Sequence, residues 1–164
     1  MKSLSRWMTI AVLSGVALPI PLHARDQAPA RREELCAPGG VTIPFAAASP
    51  RSWNTWVSST DLKEMYCHDV AVTEIRSRAK KNTQGEIEVT FKVTTFTKPG
   101  HDKRVDVTIE VLAGDRVVKS TTIDGIDAEE KKEAHGTGYL VMPVDLLPAD
   151  GDARLRVSLE VVDH

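Results

Sequence analysis

Residues 86–93 read EIEVTFKV, and every second residue in this stretch is apolar. Residues 104–111, RVDVTIEV, and residues 154–161, RLRVSLEV, repeat the same alternation. A period of two places the apolar side chains on one face of an extended strand and the polar ones on the other. Such half-buried strands are typical of antiparallel sheets that cover a core with one face. The three stretches therefore predict an antiparallel β domain.

Further segments of the same character flank these three. One of them changes parity at Ile75, which predicts a β-bulge. A tight hairpin is predicted at 113–115, and residues 139–144 alternate again. Residues 41–46 are predicted as an edge strand, because Pro44 cannot donate a hydrogen bond within a sheet. About six or seven strands at near-regular spacing predict an all-β fold, a single antiparallel β-sandwich.

Two short helical turns are predicted from N-cap patterns. Asp61 is followed by Glu64, and Asp127 is followed by Glu130, which is the spacing of a capping box. The second turn would cover residues 127–134. It would interrupt the succession of strands where the chain crosses between the two sheets.

Residues 136–141 read GTGYLV and follow this second turn directly. The segment resembles the tyrosine corner of immunoglobulin-like domains, in which a Tyr hydroxyl bonds back to the preceding loop. The resemblance implies that role for Tyr139 and an immunoglobulin-like or fibronectin-III-like architecture. The chain lacks the Cys…Trp…Cys arrangement of antibody domains, so the resemblance concerns the architecture only.

The first 24 residues have the features of a signal peptide. Lys2 and Arg6 form a positive n-region, and residues 7–18 are apolar over the length of an h-region. Ala24 supplies a small residue for cleavage; a buried first helix and a retained anchor are the alternatives. The predicted organisation is a signal peptide over 1–24, a polar linker over 25–40 and a sandwich domain over 41–164. The mature chain would be periplasmic or secreted and would have no integral membrane segment.

Two cysteines, Cys36 and Cys67, lie beyond the predicted leader. In an oxidising compartment an even pair predicts a disulfide. Free thiols or metal ligands are the alternative, but zinc ligands usually come in closely spaced pairs. His68 is directly adjacent to Cys67 and does not provide that spacing. The sequence therefore predicts no metal site and no cofactor.

Trp53, Trp56 and Tyr66 lie in the segment that a Cys36–Cys67 bridge would close. Aromatic rings on a rigid loop favour the binding of sugars, peptides or partner proteins. The same rings would equally serve to fill the open end of a sandwich. Both an aromatic binding loop and a structural plug are compatible with the sequence.

Two basic clusters stand out from a chain whose formal net charge is −2 at pH 7. The first comprises Arg76, Arg78, Lys80 and Lys81, and the second comprises Lys98, Lys103 and Arg104. One interpretation is a solvated face that acidic residues screen across the strands. The other is electrostatic steering towards an acidic partner protein or an anionic envelope polymer. The balanced charge argues against a nucleic-acid-binding protein.

No segment carries a catalytic motif. The chain has no G-x-S-x-G elbow, and the S-x-x-K match at Ser77 falls on a predicted strand rather than at a helix start. The sequence therefore predicts a non-enzymatic binding module that recognises a protein partner or an envelope glycan, an inhibitor- or immunity-type protein among them. The alternatives are a structural subunit of a surface appendage and an enzyme with an active site drawn from Glu64, Tyr66, His68 and Asp69.

Overall fold

The computed structural model describes residues 34–60, 62, 64–98, 103–128 and 133–162. They belong to one compact unit that spans Arg31–His164. The signal peptide predicted over 1–24 and the first part of the predicted linker lie outside these residues. Within the described ranges, no helix is long and apolar enough to cross a membrane.

The described residues form nine strands and three short 3₁₀ turns. The strands are β1 (Val41–Pro44), β2 (Val57–Ser59), β3 (Tyr66–Cys67), β4 (Val70–Lys81), β5 (Glu86–Thr97), β6 (Lys103–Ala113), β7 (Arg116–Ala128), β8 (Glu133–Pro143) and β9 (Ala153–Val162). The 3₁₀ turns are Ala46–Ala48, Pro50–Ser52 and Val144–Leu146.

Two antiparallel sheets pack face to face. The first sheet has the order β1-β9-β6-β7, and the second has the order β2-β4-β5-β8, with β3 paired to one end of β4. This arrangement confirms the predicted all-β sandwich with short helical turns. The edge strand predicted around Pro44 is also confirmed, because β9 is the one neighbour of β1 among the described strands of the first sheet.

The core consists of the apolar rows predicted from the alternation. Ile87, Val89, Phe91 and Val93 of β5 are fully buried, as are Val105, Val107, Ile109 and Val111 of β6. Phe45, which follows β1, reaches Phe91 across the interior with the ring centroids 6.0 Å apart. Each such side chain contributes roughly 1.5–3 kcal/mol relative to an exposed one.

The bulge predicted before Ile75 is present in β4. The pairing of β4 with β5 shifts between Val72 and Glu74, so Thr73 is the extra residue. Beyond the bulge Ile75 is buried, whereas Arg76 is half-buried and Arg78 is exposed. The extra residue therefore turns the two arginines outward and keeps the apolar residues inside.

The helical turn predicted over 127–134 is wrong at both ends. Strand β7 continues to Ala128 and β8 begins at Glu133, and the residues between lie outside the described part. Strand β7 runs through Gly125, which lies in a bulge with φ +67°, and the Gly125 N–H donates to Asp106 Oδ1 at 2.7 Å. The strand resumes beyond it.

The predicted tyrosine corner is also wrong. Tyr139 is 54% exposed, because its neighbours Leu140 and Met142 take the inward positions of β8. Its hydroxyl lies near Glu88 on the outer face of the second sheet. The two-sheet sandwich stands without this corner, and the closer likeness to immunoglobulin-like domains stays a prediction.

The end of the predicted linker packs against the sandwich. Leu35 is fully buried, and its carbonyl accepts a hydrogen bond of 2.6 Å from the Leu159 N–H of β9. The predicted helical turn near Asp61 is described only at Leu62 and Glu64, where the chain makes a turn before β3. Leu62 is fully buried as well, so the core includes an apolar residue shortly before each cysteine.

The predicted disulfide joins Cys36 and Cys67, with Cα atoms 4.7 Å apart. Cys36 lies beside Leu159 of the first sheet, whereas Cys67 belongs to β3 of the second sheet. The bridge therefore connects the two sheets covalently at one end of the sandwich.

Two glycines of β8 let the sheets approach at the β7–β8 side. A Cβ at Gly138 would lie 2.8 Å from Ile123 Cγ1, and one at Gly136 would lie 2.6 Å from Ile126 Cδ1. These distances are shorter than any normal carbon contact. The two isoleucines of β7 occupy the space that side chains on β8 would otherwise take.

Replacement of both cysteines with alanine should lower the free energy of unfolding by about 3–4 kcal/mol, because the bridge closes a loop with a sequence separation of 31. Urea unfolding followed by circular dichroism measures this loss. The wild-type chain with a reducing agent serves as a control and should unfold like the variant. A loss below about 1 kcal/mol would show that the bridge adds little.

Gly138→Ala should destabilise the fold by about 1–3 kcal/mol, because the new methyl group overpacks against Ile123. In a chain that carries Ile123→Ala, which lacks both Cγ1 and Cδ1, Gly138→Ala should cost less, and thermal and urea unfolding would both report the difference. Thr137→Ala is the matched control, since Thr137 is exposed on the same strand. Equal effects of Gly138→Ala with and without the Ile123→Ala substitution would contradict the proposed contact.

Candidate functional site

Trp56 lies on the outer face of the second sheet. The segment that carries it runs along β4: the Asn54 N–H donates to Ala79 O at 2.7 Å, and Val57 pairs with Ser77. Asn54 has a φ of +65°, which turns the chain onto this path. Because Val57 pairs with an inward-facing residue, the neighbouring Trp56 extends over the outward side chains of β4.

Three cations surround the Trp56 ring. The guanidinium carbons of Arg76 and Arg78 lie 5.3 and 4.9 Å from the ring centroid, and Lys92 Nζ lies at 4.6 Å. Lys92 belongs to β5 and pairs directly with Arg76. All three distances are within the range of cation–π attraction. We call Trp56, Arg76, Arg78 and Lys92 the cation face.

In the part of the chain that the structure describes, no carboxylate forms an ion pair with any of the three cations of the cation face. The adjacent Glu74 accepts a hydrogen bond of 2.7 Å from Ser58 Oγ, and the Glu88 carboxylate is hydrogen-bonded to the Tyr139 hydroxyl. Three like charges around one ring repel one another, so the arrangement favours an incoming anion.

Tyr139 extends this surface by one strand. Arg78 pairs with Thr90, and Thr90 pairs with Tyr139, which forms an outward row across β4, β5 and β8. Partial desolvation and the nearby charge of Glu88 raise the pKa of the Tyr139 hydroxyl above its usual value. The hydroxyl therefore stays protonated at physiological pH, and it donates its hydrogen bond to the Glu88 carboxylate.

Trp53 lies in different surroundings, at the end of the sandwich where the three 3₁₀ turns meet. It packs against the core, and its indole N–H donates to Ala48 O at 3.1 Å. Lys81 Nζ lies 5.8 Å from the centroid of its ring. Beside Trp53 is an open cavity of about 440 Å³, bounded on the other side by Val144 and Leu147.

Tyr66 lies towards the opposite end of β4, where it pairs with Ala71 beside the disulfide. Lys98 Nζ is 4.5 Å from its ring centroid. The segment of Trp53 and Trp56, in contrast, is hydrogen-bonded to β4 at Ala79 through the Asn54 N–H. Ala71 and Ala79 are eight residues apart, which corresponds to roughly 25 Å of strand. Tyr66 therefore does not share a platform with Trp53 and Trp56. Tyr66 and Trp53 have one cation each, whereas Trp56 has three.

The cation face gathers residues that sequence reasoning treated separately. Trp56 was part of the predicted aromatic loop, and Arg76 and Arg78 were part of the first basic cluster. Lys92 was missed as a site residue, because its position opposite Arg76 depends on the pairing register of β4 and β5. The signal available in the sequence was that all three cations occupy outward positions of alternating strands.

The residues considered for an enzyme lie near the β3–β4 turn. His68 is exposed, with φ +54°, and Tyr66 and Asp69 flank it within the same hairpin. Glu64 is exposed nearby in the chain. A ring nitrogen of His68 and the two cysteine sulfurs lie within 4.8 Å of one another. Those sulfurs are bonded to each other, however, so they do not offer thiolates to a metal.

Comparison of the chain with protein-family models and with curated proteins gives no match. The candidate site is therefore assigned from geometry and charge. Its distinguishing feature is the cation face on an otherwise regular sheet surface, with Tyr139 beside it. The arrangement can bind a carboxylate through charge-assisted hydrogen bonds and can pack apolar surface on the two rings.

The two tryptophans should differ in their effect on stability. Trp53→Ala should lower the free energy of unfolding by about 2–4 kcal/mol, because it removes core packing and leaves the Ala48 carbonyl without its donor. Trp56→Ala should cost about 1 kcal/mol or less, since the cation–π contacts are offset by repulsion among the cations. Urea unfolding of both variants provides the measurement, and equal losses would contradict the distinction.

Proposed function

We propose that the chain is an exported, non-enzymatic binding module that recognises an acidic partner protein through the cation face. The observation that supports this most directly is the group of three cations around Trp56, none of which pairs with a carboxylate among the described residues. A partner carboxylate would relieve their mutual repulsion. Two of the cations are arginines, which bind carboxylates with two parallel hydrogen bonds.

The composition of the surface favours a protein as the partner. Trp, Tyr and Arg are the residues most enriched among those that dominate protein–protein binding energies. Here Trp56, Arg78 and Tyr139 lie on one sheet face whose central strands are paired on both sides. Because such a face is ordered before binding, little conformational entropy is lost when a partner docks.

An oxidising location fits the covalent structure. A stable disulfide between Cys36 and Cys67 is expected in the periplasm or outside the cell, where the predicted leader would deliver the chain. A small bridged domain with a charged docking face suits an inhibitor- or immunity-type protein that neutralises a secreted enzyme. This form of binding module is the one that we favour.

Affinity capture with the exported protein tests the proposal. The wild-type chain should retain one stoichiometric protein from an extract of its own compartment, and Arg76→Glu combined with Arg78→Glu should reduce the affinity at least tenfold. A tenfold change corresponds to about 1.4 kcal/mol.

Arg116→Glu combined with Lys119→Glu is the matched control, because both residues are exposed on β7 of the other sheet and the change in charge is identical. This control should bind like the wild type. Unchanged capture by the Arg76/Arg78 variant, or a wild-type monomer that retains no protein, would contradict the proposal. Elution of an acidic glycan in place of a protein would likewise contradict it.

A further inference from the structure

We infer that the cavity beside Trp53 is an anchor pocket for an apolar side chain of the acidic partner, in a segment where carboxylates flank a residue such as Phe. This inference rests on the proposed function of the cation face. The pocket would supply apolar burial, and the cation face would receive the flanking charges. The two regions are adjacent because Trp53 and Trp56 belong to the same short segment.

The shape and lining of the pocket suit an aromatic or branched side chain. Its volume is about 440 Å³, within the range of ligand-binding cavities. Benzene already occupies a protein cavity of about 150 Å³. Apolar groups form most of the wall, and they include Trp53, Val144, Leu147, Pro148, Pro50 and Ala153.

Short hydrogen-bonded turns hold the walls in place. On one side Ser52 N–H donates to Ser49 O at 2.8 Å, and the indole N–H of Trp53 is fixed on Ala48 O. On the other side Leu147 N–H donates to Val144 O at 3.0 Å. The pocket is therefore formed in the free protein, which lowers the entropic cost of filling it.

The charges around the pocket favour a segment that is acidic on the β4 side. Lys81 Nζ lies 5.8 Å from the Trp53 ring, and β4 continues from Lys81 towards Arg78 and the cation face. The lining contains one carboxylate, Asp145, which is exposed on the 3₁₀ turn across the pocket from Trp53. An apolar side chain that enters here would have its neighbours on the β4 side next to cations.

The spacing allows one segment to reach both regions. Trp53 and Trp56 are three residues apart, which corresponds to at most about 11 Å of extended chain. The hydrogen bond from Asn54 N–H to Ala79 O holds this connection on β4. If a partner strand has its anchor residue in the pocket, the partner residues two to four positions beyond the anchor would lie next to Arg78 and Lys92. Carboxylates at those partner positions would therefore meet the cation face.

Synthetic peptides provide a defined test with the ¹⁵N-labelled exported protein. The first peptide has one Phe between three Glu on each side, the second has Gly in place of Phe, and the third has Lys in place of every Glu. The indole N–H signals of Trp53 and Trp56, assigned by Trp→Phe variants, report on the pocket and the cation face separately. The Phe–Glu peptide should shift both signals and bind at least tenfold more tightly than either of the others.

Ala149→Phe fills the pocket from its exposed rim and leaves Trp53 and its hydrogen bond in place. This variant should lower the affinity for the Phe–Glu peptide at least tenfold and leave the affinity for the Gly–Glu peptide unchanged. Ser120→Phe on β7 adds the same bulk elsewhere and should change neither affinity.

The two indole signals separate the possible failures. A Trp53 signal that stays unmoved while Trp56 shifts with both acidic peptides would overturn the pocket and leave the cation face supported. No shift at either tryptophan would overturn the pocket and also contradict the proposed function. A Trp53 shift of equal size with the Lys peptide would overturn the charge preference and with it the inferred partner.

Discussion

The pairing register of β4 with β5 determines both the interior and the outer surface of this protein. One register places Ile75 against the core and Arg76 opposite Lys92 on the outside. A slip by one residue would exchange the two faces and bury the arginines, which is prohibitively costly. The apolar rows of β5 and β6 thus fix the register, and the register in turn brings together the cations around Trp56. The cation face follows from core packing.

Long alternating segments made most of the fold predictable. The rows around Phe91 and Ile109 were identified from period alone, and the parity change at Ile75 located the bulge. Strands β2 and β3 were missed because three and two residues are too few to show a period. The helical turn predicted over 127–134 was wrong because β7 continues through a bulge at Gly125 to Ala128. Local sequence does not show that Asp106 of the neighbouring strand satisfies the Gly125 N–H.

The sequence made the individual residues of the candidate site predictable, but it did not predict that the fold brings them together. Trp56 and the arginines were recognisable as residue types that bind anions and aromatic surfaces. Their convergence depends on contacts between strands that are not adjacent in sequence, and Lys92 is the clearest case. The same holds for Trp53, whose hydrogen bond to Ala48 places it at the end of the sandwich. Its pocket requires the turn at Val144–Leu146, which is distant in the chain.

The glycines of β8 have a consequence for how the two layers come apart. At the β7–β8 margin the layers are nearly in contact, whereas between the short edge strands β1 and β2 a cleft of about 190 Å³ remains. The cross-section is therefore a wedge with a closed side and an open side. The Cys36–Cys67 bridge ties the two layers together at one end of this open side. Thermal fluctuations that separate the layers would therefore begin at β1 and β2 away from the bridge, where few backbone hydrogen bonds must break. Amide protons of β1 and β2 would then exchange with solvent long before those of β5 and β6.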